Sequence, residues 1–220
     1  MDSKKNKKIK ILATGDFHSD VSLPNKIKEN VNLDEIDLII FTGDLSDRKD
    51  DFKILLEDFQ EKEIFMIPGN HESKKKLDTL QKHYNVKLIG NNPIVIDDKL
   101  AIFGTNYLNV GEYSVLEEEV LTNLIENFKE IEDIKLKIHV SHIPPIGTKI
   151  GDMSPYHFVS GSLAQRIFLE QFSPQISLCG HIHESAGLEE IVNKTKLVNV
   201  GRTFKIFEID LEKEEIEIKN

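Results

Sequence analysis

Short runs rich in Ile, Val and Phe alternate along the chain with longer segments whose apolar residues recur at helical spacing. That order predicts an α/β protein. Strands are expected over residues 9–13, 38–41, 64–67 and 136–140. Helices are expected over 51–61, where Phe52, Leu55, Leu56 and Phe59 share one face, over 73–84, and from about 113 to 130. The last third reads differently, with short strand-like pieces at 176–179, 187–192, 196–200, 204–209 and 214–218 separated by turn residues. It predicts a more antiparallel sheet. Neither an internal repeat nor a linker-like tract interrupts the 220 residues, so residues 1–220 are expected to form one domain, with 1–8 as a solvated, lysine-rich lead.

Four of the expected strands run directly into residues that can bind metal or move protons. Asp16 and His18 follow the first, Asp44 the second, Asn70 and His71 the third, and His142 the fourth. In open α/β sheets the carboxyl ends of strands share one edge, where ligands bind. A glycine precedes Asp16, Asp44 and Asn70, which lets the backbone leave a strand sharply. His181 and His183 repeat the spacing of Asp16 and His18 just after the 176–179 run, and residues two apart on an extended segment face the same side. Two carboxylates, an amide oxygen and four imidazoles overfill one ion. They suit two divalent ions roughly 3.5–4 Å apart, bridged by Asp44. The donor mixture favours Mn²⁺, with Fe, Zn, Co or Ni also suited, over Ca or Mg alone. Two such ions lower the pKa of water toward ~7 and leave net positive charge for a phosphate ester.

Charge and composition narrow the partners. A net charge of −10 works against non-specific binding to nucleic acid. The longest apolar runs are far shorter than the ~20 residues of a membrane span, and the lysine-rich start lacks the apolar stretch of a signal peptide. The single cysteine, Cys179, forms no internal disulfide, and a cytoplasmic location is expected.

The order Asp16-Phe17-His18, Gly43-Asp44, Gly69-Asn70-His71, His142, then Gly180-His181-Ile182-His183 resembles that of the calcineurin-like metallophosphoesterases. The resemblance implies a four-layer α/β/β/α sandwich of two mixed sheets flanked by helices. It implies that Asp16, His18 and His183 hold one ion, that Asn70, His142 and His181 hold the other, and that Asp44 is shared. His71 is then the non-ligand histidine that stabilises the transition state or protonates the leaving oxygen. Attack of a metal-bridging hydroxide on phosphorus is the expected reaction. The protein Ser/Thr phosphatases of this superfamily carry an Arg before the GNH block, whereas Ile67 and Pro68 stand here; Asp47 and Arg48 match the end of that group's GDxxDR pattern. The segment 144–162 and the Gly180–Ser185 block look closer to small stand-alone phosphoesterases related to cyclic-nucleotide phosphodiesterases. A phosphodiester or small phosphate ester is therefore the expected substrate, with a DNA nuclease or a non-catalytic metal-binding scaffold as rivals.

Residues outside these blocks read more plainly. His157 and Arg202 are candidate substrate contacts. His139 faces away from His142 on the same strand and is expected to be structural. His83 sits near a helix end, where a cation favours exposed carbonyls. Glu117, Glu118 and Glu119 are expected to form a solvated helix face.

Overall fold

The protein is described by a computed structural model covering residues 8–48, 51–90, 92–106, 108–111, 114–154 and 161–219. Its elements follow in the order β1 (Lys8–Thr14), α1 (Ser22–Asn30), β2 (Leu38–Phe41), α2 (Phe52–Leu56), β3 (Glu63–Met66), α3 (Lys74–His83), β4 (Val86–Leu88), β5 (Ile94–Ile96) and β6 (Leu100–Gly104). The second half continues with α4 (Glu117–Glu130), β7 (Leu136–Val140), α5 (Leu163–Phe172), β8 (Ile176–Cys179), β9 (Glu189–Val192), β10 (Thr195–Asn199), β11 (Phe204–Asp210) and β12 (Glu215–Lys219).

Two six-stranded mixed sheets result, in the orders β12-β11-β1-β2-β3-β4 and β5-β6-β7-β8-β10-β9. In the first, β1 to β4 run parallel and β11 and β12 complete one edge antiparallel. In the second, β6, β7, β8 and β10 run parallel, with β5 and β9 antiparallel at the edges. The period of two along each strand sorts side chains between layers. Ile11, Leu38, Ile40 and Phe65 meet Leu100, Ile102, Ile138 and Leu178 in one buried cluster between the sheets. Their neighbours Leu12, Ile39 and Met66 turn the other way, onto Ile27, Leu55 and Leu80 of the helices α1 to α3. On the far side, Ala101 and Phe103 face Leu124 of α4 and Phe168 of α5. These clusters make the expected α/β/β/α sandwich. Both faces of the parallel strands are covered, which is why their sequences read as continuous apolar runs.

Two expectations need correction. The last third is richer in antiparallel pairs, as expected, but it is not one sheet: β11 and β12 extend the first sheet and β8 to β10 the second, where β10 pairs parallel to β8. Antiparallel pairing in this third joins β9 to β10, β11 to β1 and β12 to β11, with β9 and β12 at the sheet edges. The helix expected over 51–61 stops at Leu56 and tightens into a 3₁₀ turn, Glu57–Phe59, that still buries Phe59 before the chain enters β3. No helix among the described residues is long and apolar enough to cross a membrane.

Candidate metal centre

The candidate residues all leave the ends of parallel strands. Asp16 and His18 follow β1, Asp44 follows β2, Asn70 and His71 follow β3, His142 follows β7, and His181 and His183 follow β8. The sharp turn falls on the candidate ligands themselves, because Asp16, His18, Asp44 and His181 have φ of 54°, 48°, 52° and 68°. Non-glycine residues in this left-handed region are uncommon, and such strain concentrates at functional sites. Backbone bonds hold the strained loops together: Asp16 N–H donates to Gly43 O at 2.9 Å and His18 N–H to Asp44 O at 3.0 Å. Of the three glycines expected to supply the turns, only Gly43 does so, with φ 99°. Gly69 instead provides room, since a Cβ there would lie 2.1 Å from Asp44 Oδ1.

These turns bring the side chains of both sheets into one cluster. His18 Nε2 lies 3.2 Å from His183 Nε2, which is 3.8 Å from Asp16 Oδ1. His142 Nε2 lies 3.0 Å from Asn70 Oδ1 and 3.3 Å from Asp44 Oδ2, and Asp44 Oδ2 is 3.6 Å from His18 Nε2. Three overlapping sets, Asp16/His18/His183, His18/Asp44/His71 and Asp16/Asp44/His142, each place possible ligand atoms within 4.8 Å of one another. The His142 and His181 rings stand edge-on at 5.0 Å.

The electrostatics fit a cation. The Thr42 carbonyl only accepts, so His142 Nδ1–H donates to it at 2.8 Å and Nε2 faces two acceptor oxygens. That convergence requires a proton or a metal on Nε2. Burial opposes a charge on His142, but the Asp44 and Asp16 carboxylates outweigh burial and push the ring up to about 10. Asp44, despite its own burial, is held well below the usual carboxylate range by His142. Burial and then the charge of His142 draw His181 down to about 4, leaving an unprotonated imidazole. Burial chiefly lowers His18 as well. Within the cluster, the buried atoms Asp16 Oδ1 and His181 Nε2 have no hydrogen-bond partner among the described residues. An orphaned carboxylate oxygen and an orphaned imidazole nitrogen in one cluster are donors suited to a divalent transition metal.

Three supporting side chains escaped the sequence reading or were only glimpsed in it. Glu72 is 6% exposed, and its carboxylate accepts from the N–H groups of Asp44 (2.8 Å), Leu45 (2.9 Å) and Gly69 (2.7 Å). It thus fastens the loop after β2 to the loop after β3, and burial pushes its carboxyl up to about 7, with the Asp44 charge adding to that. Its position directly after His71 was the available signal. Lys76 Nζ donates to Ser46 O at 2.7 Å and His71 O at 2.9 Å, clamping the same loops from α3. Asp47 Oδ1 sits 2.9 Å from His71 Nδ1, which fixes the ring of that histidine.

The remaining candidates separate. His157 lies outside the described residues. Arg202 follows the Gly15–Gly201 bridge, and its guanidinium is 3.8 Å from the Asp20 carboxylate. His139 is buried, faces away from the cluster and pairs with Ser177 Oγ at 2.9 Å. His83 is the last residue of α3. Glu117 is not part of a solvated face: its carboxylate accepts from Asn109 Nδ2, Ser162 Oγ, and the N–H groups of Leu163 and Ala164 at 2.7–3.0 Å. The unpaired N–H groups that open α5 draw it in, while Glu118 and Glu119 remain exposed.

The sequence profile of the family described as calcineurin-like phosphoesterase matches residues 9–185. Among solved structures, the chain is similar to the TT1561 protein of Thermus thermophilus, at 15% identity and a TM-score of 0.69 over 97% of this chain and 99% of that one. It is similar to the phosphopantetheinyl hydrolase of Mycobacterium tuberculosis, at 13% identity and a TM-score of 0.62 over 90% of this chain and 91% of that one. A dimetal phosphatase from Danio rerio is also similar, at 12% identity and a TM-score of 0.62 over 90% and 92%. At these identities the likeness is one of fold. No curated protein sequence matches the chain.

Proposed function

The chain belongs to the calcineurin-like phosphoesterase family, and from that premise we propose that it hydrolyses phosphodiesters or small phosphate esters at a dinuclear metal centre. Asp16, His18 and His183 would hold one ion, Asn70, His142 and His181 the other, and Asp44 would be shared. The observation that carries this reading is the pair of orphaned donors, Asp16 Oδ1 and His181 Nε2, inside a cluster where three strand ends of one sheet meet two of the other. Mn²⁺ is the first choice of metal, with Fe, Zn, Co or Ni also suited to the donors. When bound, the ions supply a hydroxide nucleophile near neutral pH and neutralise charge on the phosphoryl oxygens.

The protein's own groups do the rest. Hydrolysis forms one P–O bond from the oxygen of water and breaks the ester P–O bond, so the departing alkoxide needs a proton. His71 would supply it from Nε2, because Nδ1 is engaged by Asp47 at 2.9 Å. Glu72 and Lys76 keep the loops of Asp44 and His71 at fixed separation. Purified protein loaded with Mn²⁺ should cleave bis(p-nitrophenyl) phosphate faster than p-nitrophenyl phosphate and contain two ions per chain. Asp44→Asn and His71→Ala should each lower kcat by about 10²-fold or more. Undiminished turnover in either variant, or no more than one ion per chain under saturating metal, would overturn the assignment.

A further inference from the structure

A cavity of about 280 Å³ adjoins the cluster on the side of Asn70. One wall is the segment leaving β3 and the start of α3, with Pro68, Asn70, Lys74 and Leu77; the other includes Leu108 and Val110, beyond β6. Asn70 is thus common to the cavity and the metal cluster. The side chains of Pro68, Leu77, Leu108 and Val110 make the interior mainly apolar. Glu72 also reaches it, but both of its carboxylate oxygens are already engaged by backbone N–H groups. Lys74 is exposed at the cavity and has no ion-pair partner among the described residues, so its charge suits an anionic ligand.

The wall after β6 is held in place. Gly111, at φ 94°, lies so close that a Cβ on it would be 3.1 Å from Asn70 Cβ. Between Leu108 and Val110, the Asn109 side chain donates to Glu117 at 2.7 Å, which also holds the start of α5. A preformed apolar cavity needs little reorganisation when it is filled. Its volume is at the small end of ligand sites, enough for a compact ring and too small for a long chain.

Resting on the phosphoesterase reading, we infer that this cavity receives the alcohol half of the substrate, and that the substrate class is a phosphate ester whose alcohol carries a compact, ring-sized apolar group. The phosphoryl group would sit at the metal cluster and the ring between Leu77, Leu108 and Val110.

Binding of phenyl phosphonate and methyl phosphonate to the Mn²⁺-loaded full chain, measured by calorimetry, tests this without turnover. The phenyl compound should bind the natural protein at least ~10-fold more tightly, as expected for burying one ring. That ratio should fall toward one in Val110→Trp, which fills the cavity, and in Leu108→Asn, which makes its wall polar. A ratio of one in the natural protein, or a ratio that persists in both variants, would overturn the inference and leave the phosphoesterase reading standing. Failure of both phosphonates to bind would overturn both.

Discussion

His139 is sealed between the Phe103 and Phe168 rings, at 5.4 Å from each, and its hydrogen-bond partner among the described residues is Ser177. Burial alone draws its pKa down to about 3 from an ordinary 6.5. The unfolded chain therefore takes up a proton near pH 6.5 that the folded chain refuses until about pH 3. In that window the unfolded state binds more protons, so stability is fully present above 6.5 and falls as pH drops, by about 1.4 kcal/mol per pH unit. His139→Gln cannot take up that proton. In metal-free protein, the difference in unfolding free energy between natural and variant chains should shift in favour of the variant by roughly that slope between pH 6 and pH 4. Urea unfolding at the two pH values measures it, and a difference that does not change with pH would show that the imidazole is solvated. His142 differs because two carboxylates face it, and the same burial then coexists with a raised pKa. Both histidines were legible in the chain, because an odd spacing of three along an extended run implies opposite faces, although β7 ends at Val140 and His142 lies in the turn beyond it. Glu72 was legible only as a position, since its place directly after the GNH block was a signal but nothing in the chain shows that three backbone N–H groups surround it.

The start of α5 shows how an element can borrow its stability from a distant one. Ser162 caps the helix by accepting from Gln165 N–H at 3.2 Å, and Glu117, at the start of α4, accepts from the N–H groups of Leu163 and Ala164. A carboxylate at a helix N-terminus meets both unpaired donors and the positive end of the dipole. Glu117→Ala should therefore destabilise the protein by about 2 kcal/mol, where Glu118→Ala, on the exposed face, should shift the urea midpoint little. Equal midpoints for the two variants would return Glu117 to a merely solvated role. The sequence hid this because three glutamates in a row look alike; only the contacts of Ser162, Leu163 and Ala164 with α4 distinguish the first of them. The elements that the apolar pattern did reveal were those with a continuous apolar run or a full apolar face. It missed α1, a nine-residue helix with three buried residues, the three-residue strands β4 and β5, which are too short to establish a period, and also β6 and α5.

Both sheets contribute strand ends to the cluster, so the candidate metal centre is only as well positioned as the sheets are relative to each other. Asp16, Asp44 and Asn70 come from one sheet and His142, His181 and His183 from the other. Asp16 Oδ2 accepts from His181 N–H at 3.0 Å, and His142 reaches Thr42 O at 2.8 Å, so the tie at the rim is polar. Beneath it lies the apolar cluster shared by β1, β2, β3, β6, β7 and β8. Neither sheet could expose its half of that face at small cost, since each buried Ile or Leu contributes about 1.5–3 kcal/mol. The two halves should accordingly unfold together. Native-state hydrogen exchange should give β2 and β7 the same opening free energy, and Ile138→Ala, on β7, should lower both by the same amount, about 2–5 kcal/mol. Protection that falls in β7 while β2 keeps its natural value would show that the sheets open separately. The seven candidate ligands would then be held together by the rim contacts and the metal rather than by a common core.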